Sequence, residues 1–141
     1  ALPDDWKCPL CRAYKDEFEI MKTHAEKGSV IVKNLLGGLE DEYFANIAEN
    51  VAHYHHERVD GSGYPNRLSG DEIPIEARIM AIADVYDALV SKRCYKDSMS
   101  FEEAYNIIIE GMGTQFDSRL QPYFEKSRPV LEDYYKNEFG L

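Results

Sequence analysis

The chain is short of cysteine, of cations and of long apolar runs, and each shortage excludes something. Three cysteines in 141 residues are an odd number and argue against a disulfide framework. Lys and Arg total 16 against 26 Asp and Glu, a formal charge of −10, which speaks against general nucleic-acid binding because phosphate backbones seek cationic surfaces. No apolar run approaches the roughly 20 residues that a membrane span needs. The acidic start also lacks the charged and apolar stretches of a secretory signal, so the expected location is the cytoplasm. The length permits one hydrophobic core and hardly two, and no repeat or low-complexity segment interrupts the sequence.

Histidine is scarce as well, yet it is concentrated. The four histidines are His24, His53, His55 and His56, and the last two open the run His55-His56-Glu57-Arg58-Val59-Asp60-Gly61-Ser62-Gly63-Tyr64-Pro65. Neutral imidazole is the commonest side-chain ligand for borderline transition metals, and two neighbours at a helix end can reach one ion or two adjoining ones. Asp60-Gly61-Ser62-Gly63 and Pro65 then force the backbone into turns where positive φ is cheap. The same residues could equally be solvated histidines at a frayed helix end followed by a plain loop. His53 lies two residues from His55, hence on another face of a helix, and is expected to be structural.

Periodicity predicts an all-α chain. Phe18 to Leu36 reads as one helix carrying His24, stopped by Gly37-Gly38. A second, Glu40 to Glu57, carries apolar residues such as Phe44, Ile47, Val51 and Tyr54 at helical spacing and delivers His55 and His56 at its C-terminal end. Pro74 opens a third, Ile75 to Lys92, whose apolar residues from Ile79 to Leu89 make it the expected centre of the core. Asp84 is unusual there, since a buried carboxylate needs a partner, and an arginine such as Arg78 or Arg93 could supply it. Ser100-Phe101-Glu102-Glu103 is a capping box that starts a fourth helix running through Glu110. A short helix with Leu120, Tyr123 and Phe124 follows, then a last one starting at Pro129, with Leu131, Tyr134, Tyr135 and Phe139 expected in packing. Lys92, Arg93 and Lys96 form a local cationic exception, either helix-end charges that complement the dipole or a grip for an anion. Cys94 among them is expected to be a small residue, buried or half-buried.

Several of these segments together resemble the HD-GYP family, metal-dependent phosphodiesterases within the HD phosphohydrolases whose best-known substrate is cyclic di-GMP. The resemblance runs from Phe18 to Ser127. It rests on Met21-Lys22-Thr23-His24-Ala25-Glu26-Lys27-Gly28, the His-His-Glu run through Tyr64-Pro65, Ile73-Pro74-Ile75-Glu76-Ala77-Arg78-Ile79, Ala81-Ile82-Ala83-Asp84-Val85-Tyr86-Asp87-Ala88-Leu89 and Ser91-Lys92-Arg93-Cys94-Tyr95-Lys96. It implies an HD-domain-like helical bundle with His24, His55, His56 and Asp84 as ligands of iron or manganese. Glu57 and Asp60 would order the imidazoles from behind, and Arg93 and Lys96 would contact substrate phosphates. Gly63, Tyr64 and Pro65 would form a loop on which diguanylate cyclase domains dock.

Two features depart from that pattern. The family takes its name from a His-Asp pair on an upstream helix, and this sequence contains no His-Asp dipeptide. The bundle is therefore expected to be truncated at its N-terminal side, the missing part being lost, removed or supplied by another chain. In its place Leu2-Pro3-Asp4-Asp5-Trp6-Lys7-Cys8-Pro9-Leu10-Cys11 resembles the C-terminal metal knuckle of a rubredoxin. This divides the chain into a knuckle remnant over residues 1–18 and an HD-GYP-like domain over 19–141. Two thiolates leave a metal half-coordinated, so zinc or iron at Cys8 and Cys11 requires a second chain.

The expected function is a metal-dependent phosphohydrolase acting on cyclic di-GMP or a related phosphodiester, incomplete in this chain and weak or inactive alone. The alternative is a degenerate, non-catalytic module that docks partners through the Gly-Tyr-Pro loop; electron transfer through the knuckle is a third reading. Helical faces bared by the missing part predict a homodimer, packed through the helix from Phe18 to Leu36 or through the C-terminal helix.

Overall fold

The computed structural model describes residues 15–91 and 99–140, and within them the chain folds into five α-helices and two single 3-10 turns. The helices are α1 (Lys15–Leu36), α2 (Glu42–Tyr54), α3 (Ile75–Val90), α4 (Phe101–Glu110) and α5 (Gln121–Phe139); the turns are Gly70–Glu72 and Ser118–Leu120. No strand occurs among the described residues. Cys8, Cys11, Lys92, Arg93, Cys94 and Lys96 lie outside them. α1 runs without a break through the domain boundary expected between residues 18 and 19.

Local chemistry sets the helix starts. Asp41 caps α2 by accepting from the Phe44 N–H at 3.0 Å. The box ahead of α4 closes as expected, with Ser100 Oγ accepting from Glu103 N–H (3.2 Å) and the Glu103 carboxylate accepting from Ser100 N–H (3.0 Å). Two endings differ from the sequence expectation. α2 stops at Tyr54 instead of Glu57, and His55 is its C-cap. Its ring Nδ1–H turns back to the carbonyls of Val51 (2.9 Å) and Ala52 (3.1 Å), which supplies a donor to carbonyls that a helix end leaves bare. α5 is one helix and does not begin at Pro129, which lies inside it. Proline costs one backbone bond there. Phe124, Leu131 and Tyr135 nevertheless share a face packed on the core, and that burial carries the helix across the defect. Tyr134 and Phe139, expected in packing, are exposed.

The core sits between α3, α4 and α5. α3 supplies Ala77, Ala81, Ile82, Tyr86, Leu89 and Val90, in keeping with its apolar sequence. Ile108, Phe116, Phe124 and Tyr135 close around them, and the Tyr86 ring meets Phe124 and Tyr135 edge-on at 5.8 Å. The other end is thin. α2 buries no residue, and among the described residues of α1 the buried ones are Ala25 and Ser29. The α1–α2 hairpin packs largely through half-buried side chains such as Val32, Leu36, Ile47 and Val51.

Candidate metal centre

That thin end carries the three-histidine cluster. α1 brings His24, the end of α2 brings His55, and the turn beyond brings His56. His24 Nε2 lies 3.3 Å from His55 Nε2 and 3.1 Å from His56 Nε2. The Nδ1 atoms are engaged elsewhere: His24 Nδ1–H donates to the Met21 carbonyl (2.6 Å) and His55 Nδ1–H to those of Val51 and Ala52. In a neutral imidazole a proton on Nδ1 leaves a lone pair on Nε2. His24 and His55 thus point lone pairs at each other at a distance where two acceptors repel unless a cation lies between them.

The spacing fits such a cation, because two nitrogens on one tetrahedral ion at zinc-like bond lengths stand about 3.3 Å apart. Backbone carbonyls behind the rings fix the tautomer, as in known metal centres. His56 is also held neutral, since burial, then the adjacent His55 and His24, push its pKa from 6.5 down to about 3.

The remaining residues of the loop brace this turn. Glu57 is buried, and its carboxylate accepts from the N–H of Asn66 (2.6 Å) and of Leu68 (3.1 Å). Asp60 accepts from the N–H and the hydroxyl of Ser62 and pairs with Arg58. The bonds of both carboxylates go to the loop that follows the His55-His56 turn. Gly63 is buried with no room for a side chain; a Cβ there would stand 2.6 Å from Glu57 Cα and from the His56 carbonyl oxygen. Tyr64, joined to Pro65 by a cis peptide, donates its N–H to the His56 carbonyl (3.2 Å) and lays its ring 4.9 Å from the His56 ring. Lys22 Nζ lies 5.8 Å over that tyrosine ring and also pairs with Glu19 at 2.9 Å.

Asp84 is not part of the three-histidine group. It is half-buried on α3. Its expected alternative partner, Arg78, is committed elsewhere: to Asp117 at 2.6 Å, in a pair with little exposure on either side, and to Asp71 at 3.0 Å. Arg119 also binds Asp117 and Asp71. Its bonds, and then Arg78, hold the Asp117 pKa down to about 2. This network ties the 3-10 turn after the loop to the segment before α5. An apolar cavity of about 630 Å³ between α3 and α5, lined by Ile79, Ile82, Leu120, Phe124 and Leu131 among others, shares no residue with the histidine group. It has no charged lining residue with which to hold an anion.

Sequence reasoning did not identify Ser29 or Asn66. Each lies 2.9 Å from one nitrogen of His53, which faces away from the cluster as expected. No motif or periodicity signals such a link, because its three members come from two helices and a loop.

Residues 8–120 match the HD domain family. A probable cyclic di-GMP phosphodiesterase of Vibrio cholerae is 45% identical over 118 residues, which cover 82% of this chain and 26% of that protein. A cyclic di-GMP phosphodiesterase response regulator of Xanthomonas campestris is 39% identical over 132 residues, covering 94% of this chain and 34% of the relative. A 3'3'-cGAMP-specific phosphodiesterase of Vibrio cholerae is 40% identical over 120 residues, covering 85% and 22%. The chain thus spans from under a quarter to a third of the length of these relatives.

Proposed function

The chain belongs to the HD domain family, and from that premise we propose that it carries the metal-binding part of an HD-GYP-type phosphodiesterase that opens cyclic di-GMP. The family implies dependence on a divalent metal. The observation that carries the reading is the convergence of the Nε2 atoms of His24, His55 and His56, within 3.1–3.3 Å for the two closest pairs, with Nδ1 of His24 and His55 tied to backbone carbonyls. These three would hold iron or manganese, with Asp84 as a further ligand. When bound, such an ion supplies Lewis acidity toward a phosphoryl oxygen and lowers the pKa of water.

The chain's own residues do the rest. The carbonyl-anchored imidazoles keep their lone pairs on one point. Tyr64 covers one flank by lying against His56 and keeps water from that side. A chain of charge −10 needs local cations to hold an anionic dinucleotide; Arg93 and Lys96 would take its phosphates. Gly63, Tyr64 and Pro65 would form the loop on which diguanylate cyclase domains dock, with Gly63 shaping its turn and the half-buried Tyr64 and Pro65 facing the partner. Exposed Ile20, Ile31 and Leu35 on α1 support pairing of two copies through that helix; a clean monomer by light scattering at micromolar concentration would refute it.

By itself the chain supplies ligands for one ion, and a bridged pair would be undersupplied, so we propose weak or undetectable turnover by the chain alone. The test is chromatography of cyclic di-GMP, and of 3'3'-cGAMP as second substrate, incubated with the chain and manganese. Slow or absent conversion to the linear dinucleotide is expected, with any residual activity lost in His55→Ala and Asp84→Ala. Rapid turnover would overturn the incompleteness, and residual turnover untouched by His55→Ala would overturn the site.

A further inference from the structure

We propose that His53 is a positioning residue that sets the register of α1 against the end of α2, so that His24 meets His55 and His56; the role rests on the metal reading of those three. The ring is a clamp with two jaws. Its Nδ1 lies 2.9 Å from Ser29 Oγ on α1, and its Nε2 lies 2.9 Å from Asn66 Oδ1 in the loop. The Ser29 hydroxyl donates its one proton to the Glu26 carbonyl at 2.9 Å, so at the α1 jaw His53 Nδ1–H donates to Ser29 Oγ, and at the other jaw Nε2 meets the side-chain amide of Asn66.

Both jaws reach a ligand-bearing segment. Ser29 stands five residues beyond His24 on the same helix, so its position along the axis dictates that of His24. Asn66 gives its own N–H to Glu57 at 2.6 Å, and Glu57 directly follows His56. One ring therefore joins the α1 ligand to the two ligands beyond α2.

Apolar packing is poorly suited to this task. Among the described residues Ala25 and Ser29 are the buried ones on α1 and none is buried on α2, so the two helices meet largely through half-buried side chains. The ion pair between them, Lys33 to Glu49 at 3.5 Å, is exposed at the lysine, and such pairs constrain little. Ser29 is only 4% exposed, so its bond to His53 forms out of water, where it is stronger and stricter in geometry. A metal centre tolerates misplacement of about 0.5 Å, whereas one residue of slip along a helix is about 1.5 Å.

The experiment is a cobalt(II) titration of the full chain followed by visible absorption, which reads both affinity and ligand geometry. His53→Ala is expected to weaken cobalt binding by about tenfold or more, as loss of outer supports does, and to shift the absorption band. His53→Asn, whose amide reaches toward the Nδ1 position, should recover part of that loss by regaining Ser29. Ser29→Ala, which opens the α1 jaw without touching the turn, should repeat the defect if His53→Ala fails to fold. Asn50→Ala is the control, since it removes a 2.7 Å bond from α2 to Glu76 on α3. It should lower the melting temperature and leave the affinity alone.

Cobalt affinity unchanged in His53→Ala, or lowered equally in Asn50→Ala, would overturn the proposal. A metal-free measurement separates this from failure of the metal reading. The NOE between the His24 and His56 rings, whose Nε2 atoms stand 3.1 Å apart, should be present in the parent chain and lost in His53→Ala. Its persistence in the variant refutes the positioning role even if the parent takes up no cobalt, a result that would itself count against the metal reading.

Discussion

Adding one methyl group at Gly63 and one at Gly28 should move stability in opposite directions. At Gly63 a Cβ would lie 2.6 Å from Glu57 Cα and from the His56 carbonyl oxygen, and closer still to Arg58 N. All three are backbone atoms, so no side-chain rotation relieves the clash and the loop must move bodily. Overpacking of this kind costs about 1–3 kcal/mol. Moving the loop also stretches the bonds from Asn66 and Leu68 N–H to the buried Glu57 carboxylate, a further cost of about 1–2 kcal/mol. With roughly 3–5 °C per kcal/mol for a domain of this size, Gly63→Ala should melt about 10 °C or more below the parent chain. Gly28 sits inside α1 with nothing within 4 Å of where its methyl group would stand, and Ala there should gain about 0.5–1 kcal/mol through helix propensity. Thermal melts by circular dichroism read both. A Gly63→Ala melting point within about 2 °C of the parent would refute the close packing of the loop against the His55-His56 turn, and a fall in Gly28→Ala would refute the open space beside α1.

Removing the Glu57 carboxylate should cost more than softening it. Glu57→Ala strands two N–H donors and should lose about 2–4 kcal/mol, with Glu57→Gln losing less because one acceptor oxygen remains; equal urea midpoints for both would contradict this. Arg78→Ala should destabilise by about 2–3 kcal/mol, softened by the Arg119 bonds that Asp117 keeps; an unchanged midpoint would show that the network adds nothing. Acid should destabilise the metal-free chain in two stages. The folded His56 resists protonation down to about 3 against 6.5 normally, so the unfolded chain binds the extra proton and stability falls as pH drops below 6.5 toward 3. Asp117, held at about 2 against 3.8, contributes stability above 3.8 that is lost as pH falls toward 2. His56→Ala should flatten the first stage of a pH series of melts, and an equally steep first stage in that variant would refute its assignment to His56.

The helices and the histidine cluster were legible to different degrees and for different reasons. α3 and α4 could be read closely because an apolar face and a capping box are local signals. The cluster could be read because adjacent His55 and His56 ahead of a glycine-rich turn, with His24 in its own motif, form a recognisable pattern. Pro129 misled because propensity is local, while the burial of Phe124 and Tyr135 that carries α5 through it is not. Glu57 was read as a support behind the imidazoles, and the backbone N–H groups it binds are ones that only the folded loop presents. Arg78 looked like a partner for Asp84, six residues away in the sequence, and instead takes Asp117, a neighbour created by the packing of α3 against the segment before α5. Tyr64 was read as a docking residue through the family resemblance; that its ring also lies against His56 follows from the tight turn at Gly63, which carries no local signal.

The most direct test of the metal centre is elemental analysis of the chain purified without added chelator, with His24→Ala, His55→Ala and His56→Ala alongside. Stoichiometric iron or manganese is expected in the parent chain, and its loss in each variant. Metal at trace level in the parent, or an equal content in all four proteins, would contradict a three-histidine centre.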